Sequence, residues 1–203
     1  DVLGSRGLGD VYKRQDKDGD GMLTEEELSS LTTLSNRNDN VYSMFKDNTV
    51  IETFNEFQYF TGLEFINSSS FEGCSSLKEI TLPVLTKMGN GVFAGSGIEK
   101  LIIPEGYQNI GPLVLQRCYN LRLVDFPSTV TSISEGGSLF WAMKNQVTVI
   151  CRAFTPPTFG TWGYDGDPKV IYVPDVSVDA YKLAAGWSLQ ATKIYPLSTY
   201  MEL

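Results

Sequence analysis

The residues best suited to chemistry lie near the start of the chain, in Asp16-Lys17-Asp18-Gly19-Asp20-Gly21-Met22-Leu23-Thr24-Glu25-Glu26-Glu27. The alternation of Asp16, Asp18 and Asp20 brings their carboxylates to one side of a loop, and Gly21 permits the sharp turn that follows. Met22 offers a backbone carbonyl, Thr24 a water-mediated position, and Glu27, twelfth in the series, two further oxygens. An all-oxygen donor set of this kind suits a hard cation. The expectation is a structural calcium site with Asp16, Asp18, Asp20, Met22, Thr24 and Glu27 as ligands. Asp16, Asp18, Asp20, Glu25, Glu26 and Glu27 stand against Lys17 alone, so these carboxylates repel one another until a cation arrives. Leu28, Leu31 and Leu34 follow at a spacing of three and give the helix leaving the loop an apolar stripe.

Other reactive groups are sparse. The chain has 203 residues and no histidine, which excludes His-based triads, imidazole metal sites and imidazole acid/base steps. A net charge of -8 argues against nucleic acid or an anionic membrane surface as partner, because both attract clustered Lys and Arg. No apolar run approaches the length of a spanning helix. Neither a G-x-x-x-x-G-K phosphate loop nor a G-x-S-x-G elbow occurs. Outside the calcium-type loop, carboxylates and aromatics cluster only in Tyr164-Asp165-Gly166-Asp167-Pro168 beside Trp162. That cluster is a candidate sugar site, although Gly166 and Pro168 also justify a plain turn. Cys74 and Cys118 share one repeat position two units apart, about 10 Å if neighbouring units stack like strands, which is beyond disulfide reach. They and Cys151 are expected to be free and buried. No catalytic residue is assigned, and an enzyme is not expected.

The elements that must position these residues come from a repeat. Leu77-Lys78-Glu79-Ile80-Thr81-Leu82-Pro83, Ile98-Glu99-Lys100-Leu101-Ile102-Ile103-Pro104 and Leu121-Arg122-Leu123-Val124-Asp125-Phe126-Pro127 align as L-x-x-I-x-L-P. Ile66, Met88, Ile110 and Ile133 step by 22, 22 and 23 residues. Phe71, Phe93 and Leu115 are followed three residues later by Cys74, Ser96 and Cys118, a spacing that suits a short helical turn. One such unit cannot bury its own Leu and Ile side chains, whereas stacked units share a continuous core. Period-two alternation turns Ile80, Leu82, Leu101, Ile103, Val124 and Phe126 inward. It leaves Glu79, Lys100 and Leu123 in one outward column and Thr81, Ile102 and Asp125 in another. These six are the candidate partner-binding residues, with Ile102 and Leu123 the apolar ones.

Residues 16–200 resemble the BspA-like leucine-rich-repeat family of bacterial surface proteins, above all in FNEFQYFTGLEFINSSSFEGCSSLKEITLP and the two units after it. The resemblance implies a mainly β fold with short helical turns: a leucine-rich-repeat solenoid with an N-terminal EF-hand-like segment and a C-terminal capping element. In the tail, a strand ending at Pro174, a helix begun by Asp175 or Ser177 and stopped near Gly186, and Ile194-Tyr195-Pro196 would cover the last open unit. Ser134 to Trp141, SEGGSLFW, departs from the family pattern, and the step from Leu121 to Val147 stretches to 26. Ser5 to Gln15, SRGLGDVYKRQ, resembles one translated frame of a sequencing-library adapter and is read as non-native, which would place the true start of the protein upstream. The expected divisions are 1–15 adapter-derived, 16–34 calcium loop and exiting helix, 35–62 connector and N-terminal cap, 63–160 repeats, and 161–203 C-terminal cap. The family implies an extracellular or cell-surface, adhesion-type scaffold that binds protein or glycan on a host or microbial surface. A passive spacer displaying another domain is the alternative, and part of a glycan-active enzyme comes third.

Overall fold

The computed structural model of the chain describes residues 24–30, 45–143 and 147–201. Short parallel strands dominate it. The first described element, α1 (Glu25–Ser29), is opened by a capping box in which the Thr24 side chain accepts from the Glu27 amide and the Glu27 carboxylate accepts from the Thr24 amide. Leu28 on this helix is buried in the main core; Leu31 and Leu34 lie outside the described residues.

Three backbone ladders then run from unit to unit. In the first, β1 (Thr53–Phe54) pairs with β2 (Glu79–Ile80). Further on, β4 (Lys100–Ile102), β6 (Leu123–Phe126), β8 (Thr148–Cys151), β10 (Val170–Val173) and β11 (Ile194–Pro196) form a five-stranded sheet. In the second ladder, β3 (Lys87–Met88), β5 (Asn109–Ile110), β7 (Ser132–Ser138) and β9 (Thr158–Thr161) form a four-stranded sheet. All these pairings are parallel, and the five-stranded register sets Leu101 against Val124, Val149, Ile171 and Ile194 in turn. Each of these side chains is buried, so one apolar position per unit builds a continuous column.

The third ladder joins the turns. Cys74, Ser96 and Cys118 each donate their amide to the carbonyl three residues back, as the helical-turn spacing requires. Between units, Asp47, Gly73, Gly95, Arg117 and Ala142 donate to the carbonyls of Glu72, Ala94, Gln116, Trp141 and Tyr164 respectively. Every one of these five donors has positive φ, as does Asp165. The turn therefore demands a left-handed residue in each unit, supplied by glycine at 73 and 95 and by strained non-glycine residues elsewhere. Inside, the rings of Phe45, Phe71 and Phe93 stack with centroids 5.0 and 5.4 Å apart.

The irregular segment at Ser134 becomes part of β7, the longest strand described, with its register shifted between Ile133 and Ser138. Downstream, β10 is followed by a short 3-10 turn, α2 (Val178–Leu183) and Gly186 at φ +79°, where the sequence places a helix and its stop. Tyr181 donates its hydroxyl to the Ala153 carbonyl (2.8 Å), and the Trp187 indole donates to Pro157 (3.0 Å). With Phe159 and Trp162 these rings fill the core beside β9.

Candidate functional site

The outward side of the first ladder holds the predicted partner-binding positions. Glu79, Thr81, Lys100 and Ile102 are exposed, Leu123 is half-buried, and Asp125 is only 7% exposed. Asn55 on the preceding unit ties two of them, donating to the Glu79 carboxylate at 3.3 Å and accepting from the Thr81 hydroxyl at 2.9 Å. Lys78 pairs with Glu52 at 3.3 Å, an exposed pair worth little to stability. Between β2 and β4 the strand pairing is interrupted, although the Glu99 amide still donates to the Lys78 carbonyl at 3.1 Å. An open groove of about 650 Å³ lies there, lined by Glu79, Thr81, Lys100, Ile102, Ile80 and Leu82 among others. Ile102 stands 50% exposed in its wall.

Toward β8 the same face closes. Arg152 clamps Asp125 through two parallel hydrogen bonds, Nε to Oδ1 at 2.9 Å and Nη2 to Oδ2 at 2.7 Å. Those bonds raise the Arg152 pKa further, with Glu105 and Tyr200 adding smaller contributions. The carboxylate expected to face a partner is thus already engaged by this chain. Ile150, the next residue in that outward column, is buried as well, and Tyr172 beyond it packs against Tyr200 with the rings tilted and their centroids 5.1 Å apart.

At the calcium-type loop, Asp16, Asp18, Asp20 and Met22 lie outside the described residues, as does the adapter-like stretch. Thr24 and Glu27 are described. The Glu27 side chain is turned back toward Thr24 and buried, with Oε2 2.9 Å from the Thr24 amide and 3.0 Å from its hydroxyl. Thr24 and Glu27, ninth and twelfth residues of the motif, are thus held against each other by the capping box.

The cysteines are free and buried. Cys74 and Cys118 play one role in two units, donating Sγ–H to the carbonyls of Phe45 and Phe93 at 3.0 Å. Burial pushes both thiols up to about 12 and Cys151 to about 11, so none is poised as a nucleophile. Trp162, expected beside the acidic loop, is 4% exposed and donates its indole N–H to Gly186 at 3.0 Å. It belongs to the core and not to a surface site.

Parallel strands repeating in one register, with Leu and Ile inward at each turn of the chain, define a leucine-rich-repeat protein. The BspA type leucine rich repeat region matches residues 41–150 in six copies. The chain belongs to that family. A search of curated proteins finds no match. Among the described residues no helix is long and apolar enough to cross a membrane.

Proposed function

We propose that this chain is a non-catalytic, adhesion-type binding scaffold of an extracellular or cell-surface protein, stacked as a solenoid and closed at its C-terminal end by α2 and β11. The observation that carries this reading is the groove between β2 and β4, where Ile102 is exposed among Lys78, Glu79, Glu99 and Lys100. An apolar side chain rimmed by charges of both signs is the pattern of a contact surface. A passive spacer needs only a uniformly polar face. The partner is a protein or glycan on a host or microbial surface, engaged through Glu79, Thr81, Lys100 and Ile102, with Leu123 at the margin. Flow cytometry of the labelled chain on intact epithelial and bacterial cells tests this. Ile102→Lys and Lys100→Glu should each abolish saturable binding; unchanged binding by both overturns the reading.

The reading includes a structural calcium site at Asp16, Asp18, Asp20, Met22, Thr24 and Glu27. Calcium would supply the charge that lets these carboxylates sit together. The chain's part is to start α1 with Thr24 and to hold the Glu27 carboxylate against it. Titration calorimetry should give a dissociation constant of about 10⁻⁴ to 10⁻³ M, in the range of extracellular modules. Asp16→Ala and Glu27→Gln should lose that heat; equal heats from all three proteins would remove the loop as the site.

A further inference from the structure

The turn ladder carries a column of residues whose carbonyls accept the amide of the left-handed residue one unit back: Glu72, Ala94, Gln116, Trp141 and Tyr164. A charged, a small and a polar side chain serve the first three units equally well, so the turn itself does not require a ring there. In the last two units the column becomes aromatic and stays in solvent, with Trp141 43% and Tyr164 70% exposed. Their rings lie 6.4 Å apart at 43°, forming a tilted two-ring trough. Both backbones are pinned, Trp141 by the Arg117 amide and Tyr164 by the Ala142 amide, each at 3.0 Å.

The three tryptophans differ in one telling respect. The indoles of Trp162 and Trp187 donate to the carbonyls of Gly186 and Pro157. That of Trp141 has no partner among the described residues. Asp165, the exposed residue after Tyr164, likewise has none, whereas Asp167 is held by Gln190 and Lys193. Among the described residues the site therefore offers two exposed rings, one N–H donor and one carboxylate without partners, a set that matches a sugar ring. A pyranose with equatorial substituents presents C–H groups to an aromatic face and hydroxyls around its rim.

We infer that Trp141 and Tyr164 form a platform for a neutral, β-linked glycan, with Asp165 accepting from its hydroxyls. Successive sugar rings would lie over successive units. Asp165 and Asp167 disfavour sulfated or carboxylated glycans by like charge. This platform is on the turn ladder and does not depend on the groove at Ile102.

The test is NMR titration of the ¹⁵N-labelled full chain, reading the three indole N–H signals, with Trp141 assigned through Trp141→Phe. The probes are tetramers of β-1,4-glucose, β-1,3-glucose and β-1,4-N-acetylglucosamine, with a sulfated disaccharide as the charged comparison. At least one neutral tetramer should shift the Trp141 signal saturably while the Trp162 and Trp187 signals stay in place. Tyr164→Ala should weaken that binding about tenfold. Ile102→Lys should leave it unchanged even where it abolishes cell binding. No saturable shift with any neutral tetramer, an equal shift with the sulfated sugar, or full affinity in Tyr164→Ala each overturns the platform.

Discussion

Replacing Leu101 and Ile102 by alanine, one at a time, separates the two sides of a single strand. Leu101 is 0% exposed and is paired in register with buried Val124, whereas Ile102, the next residue, stands half in solvent. Leu101→Ala removes three carbons, which at about 0.8 kcal/mol each forfeits roughly 2.4 kcal/mol of burial. The void left behind adds about 24 cal/mol per Å³; a residual cavity of about 50 Å³ brings the total to about 3.5 kcal/mol. On one side β4 is hydrogen-bonded to β6 in fixed register, so the space cannot simply collapse from that side. Ile102→Ala loses only partly buried carbons and should cost less than about 1 kcal/mol. Urea denaturation followed by circular dichroism gives both numbers. A Leu101→Ala value within about 0.5 kcal/mol of wild type, or equal costs for the two substitutions, would refute the inward and outward assignment.

The other expectations concern strain, an unpaired hydroxyl and the thiols. Arg117 holds φ +55° where two other units use glycine, so Arg117→Gly should raise stability by about 1 kcal/mol and move the urea midpoint upward. The hydroxyl of Tyr107 is buried without a hydrogen-bond partner among the described residues, so Tyr107→Phe should be neutral or stabilising by about 1 kcal/mol, in contrast to the usual loss on altering a buried tyrosine. The thiols of Cys74, Cys118 and Cys151 are raised from 9.0 to about 12, 12 and 11. The unfolded thiols ionise first, so the stability they contribute is complete below pH about 9 and is lost as pH rises toward about 12. Chemical denaturation at pH 8, 9.5 and 10.5 should show that decline, and Cys74→Ala with Cys118→Ala should flatten it.

Ile80, Leu101 and Val124 reveal their direction in the sequence because alternation on a strand is local and each unit repeats it. The helix stop at Gly186 and the strand at Ile194 are equally local. Asp125 is different. Alternation assigns it to the outward side, yet Arg152, which pairs with it, sits a full unit later and outside the aligned motif. Trp162 stands beside exposed acidic residues in the sequence, but its indole is held in the core by the Gly186 carbonyl and the rings of Phe159 and Trp187, all distant in sequence or outside the acidic cluster. Trp141 lies in the very segment that departs from the repeat, so no motif points to it. Left-handed turn residues are legible at Gly73 and Gly95, and not at Arg117 or Ala142, where only the backbone ladder imposes them.

The Arg152 clamp and the tilted Tyr172–Tyr200 pair give the open part of the outward strand face an end. A partner lying across the strands can settle over β2 and β4, but from Asp125 onward it meets side chains already occupied by their neighbours. Strands repeat every 4.8 Å or so, which leaves an uninterrupted footprint of about 10 to 15 Å. On the proposed reading the chain is a ruler with a fixed stop: adding units before β2 would lengthen the segment open to a partner, whereas adding them after β8 would lengthen only the support.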